Sequence, residues 1–273
     1  GSPVKNSKIM RRALEYAKMF DLVVISHCED TDLSKDGVIN EGKVSTQLGL
    51  RGIPKEAEEI MVIRDIILAS LTQSRLHITH VSTKGAIEFI RQAKKNGVKI
   101  TCDVTPHHFV LTEEKLLERP YDTNLKMNPP LRTQEDVNAI IDGLKNDVID
   151  CISSDHAPHT IEEKNKEFDL APFGIIGLET VLPLCITYLY HLHKIPLIKL
   201  LEKLTTNPAK IFNLKTKGRI DEGFDADITI FSLDEEFVVK KFYSKSTNSP
   251  FIGWKLKGKI KYTICNGKVV FKD

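Results

Sequence analysis

Leu76-His77-Ile78-Thr79-His80-Val81, then Ser82-Thr83-Lys84 opening a periodic segment that stops at Asn96-Gly97, then Val98-Lys99-Ile100-Thr101-Cys102-Asp103-Val104-Thr105, reads as strand, helix, strand. Ser82 is expected to cap the helix and Gly97 to end it, while Thr101 and Val104 favour extended backbone. The pattern repeats on both sides. Upstream, Leu22-Val23-Val24-Ile25-Ser26-His27 is a β-branched run of the kind that forms a strand buried on both faces. An amphipathic helix carrying Ile9, Met10, Ala13, Leu14 and Ala17 precedes it, and a helix from Lys55 to about Ser70 follows a glycine-containing loop. Downstream come a helix over Gln134 to Lys145, a strand over Val148 to Ser154, and helices over Leu178 to His193 and Pro196 to Leu204. Strands alternating with helices at this spacing specify βαβ crossovers and a parallel α/β sheet.

The texture changes near Lys215. Beyond it, Ala226 to Phe231, Phe237-Val238-Val239 and Ile260 to Val270 are strand-like, the last with Asn266-Gly267 as a hairpin turn. The expected division is an α/β part over 1–214 and a small antiparallel β-module over 215–273, too short to stand alone.

Composition narrows the function classes. The chain has 273 residues with 39 Lys+Arg against 37 Asp+Glu, a net charge of +2, which excludes a basic shell for nucleic acid. No apolar run approaches the roughly 18 residues that would span a bilayer, and Gly1-Ser2-Pro3-Val4 is neither a signal peptide nor an initiator Met. Five scattered cysteines without a CxxC pair suit a reducing cytoplasm. By length alone, a complete (β/α)8 barrel would fit.

Polar residues gather where each expected strand ends: His27-Cys28-Glu29-Asp30, His80-Val81-Ser82, Thr105-Pro106-His107-His108 and Asp155-His156-Ala157-Pro158-His159. In closed α/β barrels these ends converge on one rim. Two imidazoles and a carboxylate from different strands suit a divalent metal such as Zn²⁺. Asp155 is the leading catalytic candidate, since a carboxylate beside a metal-bound hydroxide can take its proton and pass it to a leaving nitrogen. His77, three residues from His80, points to the opposite face of a strand and reads as structural. His107 and His108 read as supporting or packing residues, His191 and His193 as surface residues, Cys28 as a buried neighbour, and Lys164 and Lys166 as part of a solvated loop. Asn128, in Lys126-Met127-Asn128-Pro129-Pro130-Leu131-Arg132, is either a fixed amide that recognises substrate or an ordinary Asn-Pro turn. Pro172-Phe173-Gly174-Ile175-Ile176-Gly177 either places backbone N–H groups beside a ligand or is a plain turn into the next helix.

These segments, with Asn248-Ser249-Pro250-Phe251-Ile252-Gly253, resemble in order and spacing the bacterial-type dihydroorotases of the amidohydrolase superfamily. The resemblance implies a (β/α)8 TIM-barrel fold and a cytoplasmic zinc enzyme that reversibly closes N-carbamoyl-aspartate to dihydroorotate in pyrimidine synthesis. It implies that His27, His80 and Asp155 are metal ligands, with Asp155 also the general acid/base. Asn128, His159, Phe173 and Gly174 match substrate-binding positions. The chain departs from the pattern at its start. The first-strand His-x-His pair, its nearby Arg and a substrate-binding Asn have no counterpart here, and Gly1-Ser2-Pro3-Val4 resembles the tail of the Asp-Asp-Gly-x-Pro-Val segment that carries the bridging acid. Gly1-Ser2 is equally a cloning remnant in appearance. The expectation is therefore an incomplete barrel, about strands five to eight, plus a partial β-module, lacking half of a mononuclear or binuclear zinc site. Two open sheet edges are expected. Such a chain should be inactive alone and should pair with the missing N-terminal segment or form a homo-oligomer, and aspartate transcarbamoylase is a partner the resemblance allows. The competing readings are another cyclic amidase, hydantoinase-like or allantoinase-like, and a noncatalytic scaffold subunit of the transcarbamoylase. Retention of His27, His80 and Asp155 speaks against the scaffold.

Overall fold

Asn6 starts the first helix, Ser7–Lys18, its side chain accepting the N–H groups of Lys8 and Ile9, and the helix buries Met10 and Leu14. The computed structural model describes residues 2–273; Gly1, part of the Gly1-Ser2-Pro3-Val4 comparison, lies outside them. In chain order the strands are β1 (Val23–Ser26), β2 (Ile39–Asn40), β3 (Gly52–Ile53), β4 (Arg75–Ile78), β5 (Ile100–Val104), β6 (Cys151–Ile152), β7 (Ile228–Phe231), β8 (Glu236–Val238), β9 (Lys255–Lys257), β10 (Ile260–Cys265) and β11 (Lys268–Lys272).

The main sheet has the order β1-β4-β5-β6. It is parallel throughout, with Val24 opposite Leu76, Leu76 opposite Ile100 and Asp103 opposite Cys151. Leu76, Ile78, Cys102 and Val104 are fully buried in one core with Val62 and Ala69 of helix Glu56–Thr72, Ile87 and Ile90 of helix Lys84–Lys95, and Ile140 and Leu144 of helix Gln134–Lys145. Each such Leu or Ile contributes roughly 1.5–3 kcal/mol, so the crossover helices and the sheet are mutually dependent.

Several expectations change. Thr83, one residue after the expected Ser82, caps Lys84–Lys95 by accepting from Ala86 N–H. Ser82 is drawn away because its backbone N–H and hydroxyl both donate to the buried Glu58 carboxylate. β1 is not buried on both faces: Val23 and Val24 are half-buried and Ile25 is 54% exposed, because β1 pairs with β4 alone and is a sheet edge. β6 spans two residues, since Val148 and Ile149 both donate backward to Gly143 O in the preceding turn. The segment Leu178 to His193 begins as a turn, becomes α-helical over Val181–Leu184 and π-helical over Cys185–Leu192. His191 is not a free surface group; its Nε2–H donates to Leu233 O at 2.9 Å. The short parallel β2·β3 ladder has no precedent in the sequence pattern, and β8, expected as a strand, pairs antiparallel with β9 (Lys255–Lys257), which was not expected.

Past residue 215, β10 lies between β7 and β11, antiparallel to both. Asn266 and Gly267 form the turn between β10 and β11 with φ of +48° and +73°, the geometry an Asn-Gly hairpin requires.

Candidate metal and substrate site

His27 immediately follows β1, and His80 stands two residues beyond β4. The His27 Nε2–H donates to Glu29 Oε2 at 2.9 Å, which fixes the tautomer and leaves Nδ1 as an acceptor facing His80 Nε2, also at 2.9 Å. A carboxylate on the far ring nitrogen is the usual means of orienting a metal-ligating imidazole. Glu29 is itself saturated: Ser34 Oγ donates to Oε1 at 2.6 Å and Asn128 Nδ2 to Oε2 at 3.0 Å. Burial opposes its charge, but the bonds from His27, Ser34 and Asn128 outweigh burial and hold its carboxyl at about 2.

His80 sits in left-handed backbone, φ +39°, held by its N–H donating to Asp103 Oδ1 at 2.9 Å. Asp103 Oδ2 accepts from His77 Nε2 at 2.8 Å, and Ser153 Oγ also donates to Asp103, tying the ends of β4, β5 and β6 together. His77 is thus enclosed, its Nδ1 paired with Thr101 Oγ1. Burial first, and His27 second, lower the His80 pKa, while the charge of Asp155 pushes it up. Asp155 is exposed, at φ +44° in the loop after β6.

Among the described residues, no three His, Cys, Asp or Glu side chains converge as a metal cage. The donor chemistry nevertheless fits a zinc-type ion. Two imidazole nitrogens face each other, His80 Nδ1 is buried without a partner, and a carboxylate lies within electrostatic reach.

The expected substrate-side residues cluster on neighbouring loops. Asn128 precedes a cis peptide to Pro129 and contacts Glu29. His159 donates from Nε2 to Phe173 O at 2.9 Å. Gly174 has φ +103°, and a Cβ there would lie 2.6 Å from Ala157 Cβ, so a side chain is excluded on two counts. Its N–H already donates to Lys126 O, and its carbonyl accepts from Lys164 Nζ and Asn248 Nδ2. A parallel bridge between His156 and Ile175 sets the 172–177 loop against the Asp155–His159 segment.

Lys164 is not in a solvated loop: it is 6% exposed, with Nζ donating to Pro172 O and Gly174 O, whereas Lys166 is exposed as expected. His107 and His108 are buried against Thr105 Oγ1, and His108 Nε2–H donates to Pro129 O at 3.0 Å; burial pushes both rings down, His108 to about 3, so both are neutral. Sequence reasoning assigned no role to Glu29, Asp103 or Lys126. The only local signal for Glu29 was its spacing two residues beyond His27.

The amidohydrolase family model matches residues 2–270, and the chain belongs to that family. Within it, the sequence is similar to dihydroorotases. It is 57% identical to that of Endomicrobium trichonymphae over 274 residues and 55% identical to that of Acetivibrio thermocellus over 275, each match covering 100% of this chain and 64% of the relative. Among solved structures, dihydropyrimidinase from Brevibacillus agri NCHU1002 matches with a TM-score of 0.85 at 25% identity, over 98% of this chain and 60% of that one. L-hydantoinase from Arthrobacter aurescens matches with a TM-score of 0.85 at 25% identity, over 98% and 61%. The chain thus spans 64% of the length of these curated relatives. Among the described residues, no helix is long and apolar enough to cross a membrane.

Proposed function

We propose that this chain is the larger part of a zinc dihydroorotase, acting in the cytoplasm on a small-molecule substrate and reversibly interconverting N-carbamoyl-L-aspartate and dihydroorotate in pyrimidine (UMP) biosynthesis. The observation that carries the reading is identity of 57% and 55% to dihydroorotases along the full chain. A hydantoinase-like reading is favoured by shape, but identity there falls to 25%.

His27, His80 and Asp155 would hold the metal. Zinc, when bound there, supplies Lewis acidity and an activated water. In the hydrolytic direction Asp155 removes the proton of the attacking water and delivers it to the ring nitrogen as the amide C–N bond breaks; cyclisation reverses these transfers. Glu29 keeps His27 in the Nε2–H tautomer throughout, which leaves Nδ1 as a donor to the ion. Asn128 and His159 capture the substrate's carboxylate and ring edge, aided by the Phe173–Gly174 backbone.

In this reading the parallel sheet forms strands five to eight of a (β/α)8 barrel, with the division at 214/215. On this reading the remaining length of the relatives would supply the rest of the barrel and of the metal set. The open edge at β1 supports association, either with that upstream segment or as a homo-oligomer, and aspartate transcarbamoylase is a further partner. The test is the zinc-loaded full-length enzyme assayed on dihydroorotate, hydantoin and allantoin. At least about tenfold higher kcat/KM for dihydroorotate is expected. Preference for either other ring would overturn the assignment.

A further inference from the structure

Two buried lysines hold the loop that carries Phe173 and Gly174. Lys126 is 2% exposed and donates from Nζ to the carbonyls of Phe168 at 2.7 Å, Asp169 at 3.0 Å and Ala171 at 2.7 Å. Lys164 donates to the carbonyls of Pro172 at 2.9 Å and Gly174 at 3.1 Å. Five carbonyls from one short stretch thus converge on two ammonium groups. Among the described residues, neither lysine has a carboxylate at ion-pair distance. The Phe173 ring turns inward, its centroid 4.6 Å from Lys126 Nζ, where cation–π attraction adds to the carbonyl bonds.

The arrangement links the candidate substrate segments. Lys126 lies two residues before Asn128, and its carbonyl accepts the Gly174 N–H at 2.9 Å. The Phe173 carbonyl in turn orients His159. Thr123 Oγ1 fixes the Lys164 backbone from the same side, donating to its carbonyl at 2.6 Å. Burying an ammonium group without a counter-charge is costly unless hydrogen bonds satisfy it, as the five carbonyls do here, and an apolar side chain of similar volume would leave those carbonyls without donors. What the apolar residue would lose is the inward aim of the carbonyls.

We propose that Lys126 and Lys164 are positioning residues, a two-cation clamp that shapes loop 168–174 so that Phe173, Gly174 and His159 meet the substrate beside Asn128. This rests on the dihydroorotase reading and deepens it.

Charge is central, because charge-assisted bonds are roughly twice as strong as neutral ones. Burial, and then repulsion from Lys126, lowers Lys164 to about 8, with Asp122 pulling the other way; burial also lowers Lys126, opposed by Asp169. Rising pH therefore weakens the Lys164 half of the clamp first. Its effect on stability has the opposite sign. With the folded pKa at about 8 against an ordinary 10.5, the unfolded chain holds more protons between those values, so this group makes stability rise with pH. Loss of affinity without loss of stability separates positioning from a structural role.

The experiment uses the zinc-loaded full-length enzyme, with KM and kcat for dihydroorotate measured from about pH 7 to about pH 9.5, alongside amide exchange over 168–174. Wild type should show KM rising about tenfold, the equivalent of one weakened charge-assisted bond, with kcat changed less than about threefold and exchange in the loop rising relative to β4 and β5. Lys164→Met should begin at the raised KM and lose the pH dependence; Lys164→Arg should keep the lower KM at alkaline pH. A Lys164→Met variant that keeps the wild-type KM and the wild-type loop exchange overturns the clamp. If wild type does not turn over dihydroorotate, the functional reading fails, and loop exchange alone then decides the clamp: loosening of 168–174 in Lys164→Met but not in Lys164→Arg supports it, and unchanged protection in Lys164→Met overturns it.

Discussion

Glu29 accepts three hydrogen bonds, two from its own stretch of chain and one from distant Asn128, and its replacement should be read at the metal. Gln in its place keeps one acceptor oxygen but brings an amide NH₂ against donors that now require acceptors, either Ser34 Oγ–H or the pair His27 and Asn128. Glu29→Gln should therefore lower zinc affinity of the full-length enzyme about 10–100-fold, the usual effect of losing a residue that orients a ligand. Chelator competition checks it, and unchanged affinity would remove Glu29 from the site. Asp155→Asn keeps the shape and removes the proton acceptor, so kcat should fall about 10²–10⁴-fold with the fold intact by circular dichroism. The positions of His27, His80 and Asp155 beyond β1, β4 and β6 were legible in the sequence because each follows a strand pattern. Glu29 was not, since one partner, Asn128, lies 99 residues away. Lys164 misled for a related reason: among Glu162, Glu163 and Lys166 it reads as surface, and only the folded carbonyls of 172 and 174 show where it goes.

Elements were most legible where their signals are local. The helix Gln134–Lys145 begins where expected because Thr133 and Asp136 form a reciprocal cap within four residues. β6 was overextended because a run of apolar residues cannot reveal that Val148 and Ile149 turn back to Gly143. The turn at Gly174 depends on a neighbour from another segment, Ala157, and so gave the sequence two equal readings. This makes a comparison of two glycines informative. Gly97 also has positive φ, +76°, but open space around its missing Cβ, whereas Gly174 has both the strained φ and the Ala157 clash. Gly97→Ala should cost about 1 kcal/mol from backbone strain alone. Gly174→Ala should cost about 2–4 kcal/mol, strain plus forced displacement of the Asp155–His159 segment. Urea denaturation of both variants checks the order, and equal costs would mean the loop moves freely away from Ala157.

At the scale of the molecule, the sheet has a covered side and an open one. β4 and β5 are enclosed by helices, but Ile25 on β1 and Leu22 before it are 54% and 58% exposed, next to exposed Tyr16, Met19 and Phe20. An unpaired strand edge that carries exposed apolar residues is a template for another chain. Motif order led to an expectation of two open edges, and β1 and β6 do end the sheet; which residues line the β1 edge was not legible, because Leu22 to Ile25 has the composition of a central strand. Under the proposed barrel, further strands would pair along β1; the described chain offers that edge to a second copy. Sedimentation velocity of this chain should therefore show concentration-dependent association, and Ile25→Lys, which puts a charge on the edge without touching the buried core, should shift it toward monomer with little change in melting temperature. Co-expression with the upstream segment of a full-length relative should abolish self-association, because both compete for the same edge. A chain that stays monomeric as concentration rises, or an Ile25→Lys variant that associates as strongly as wild type, would show that β1 is not an association surface.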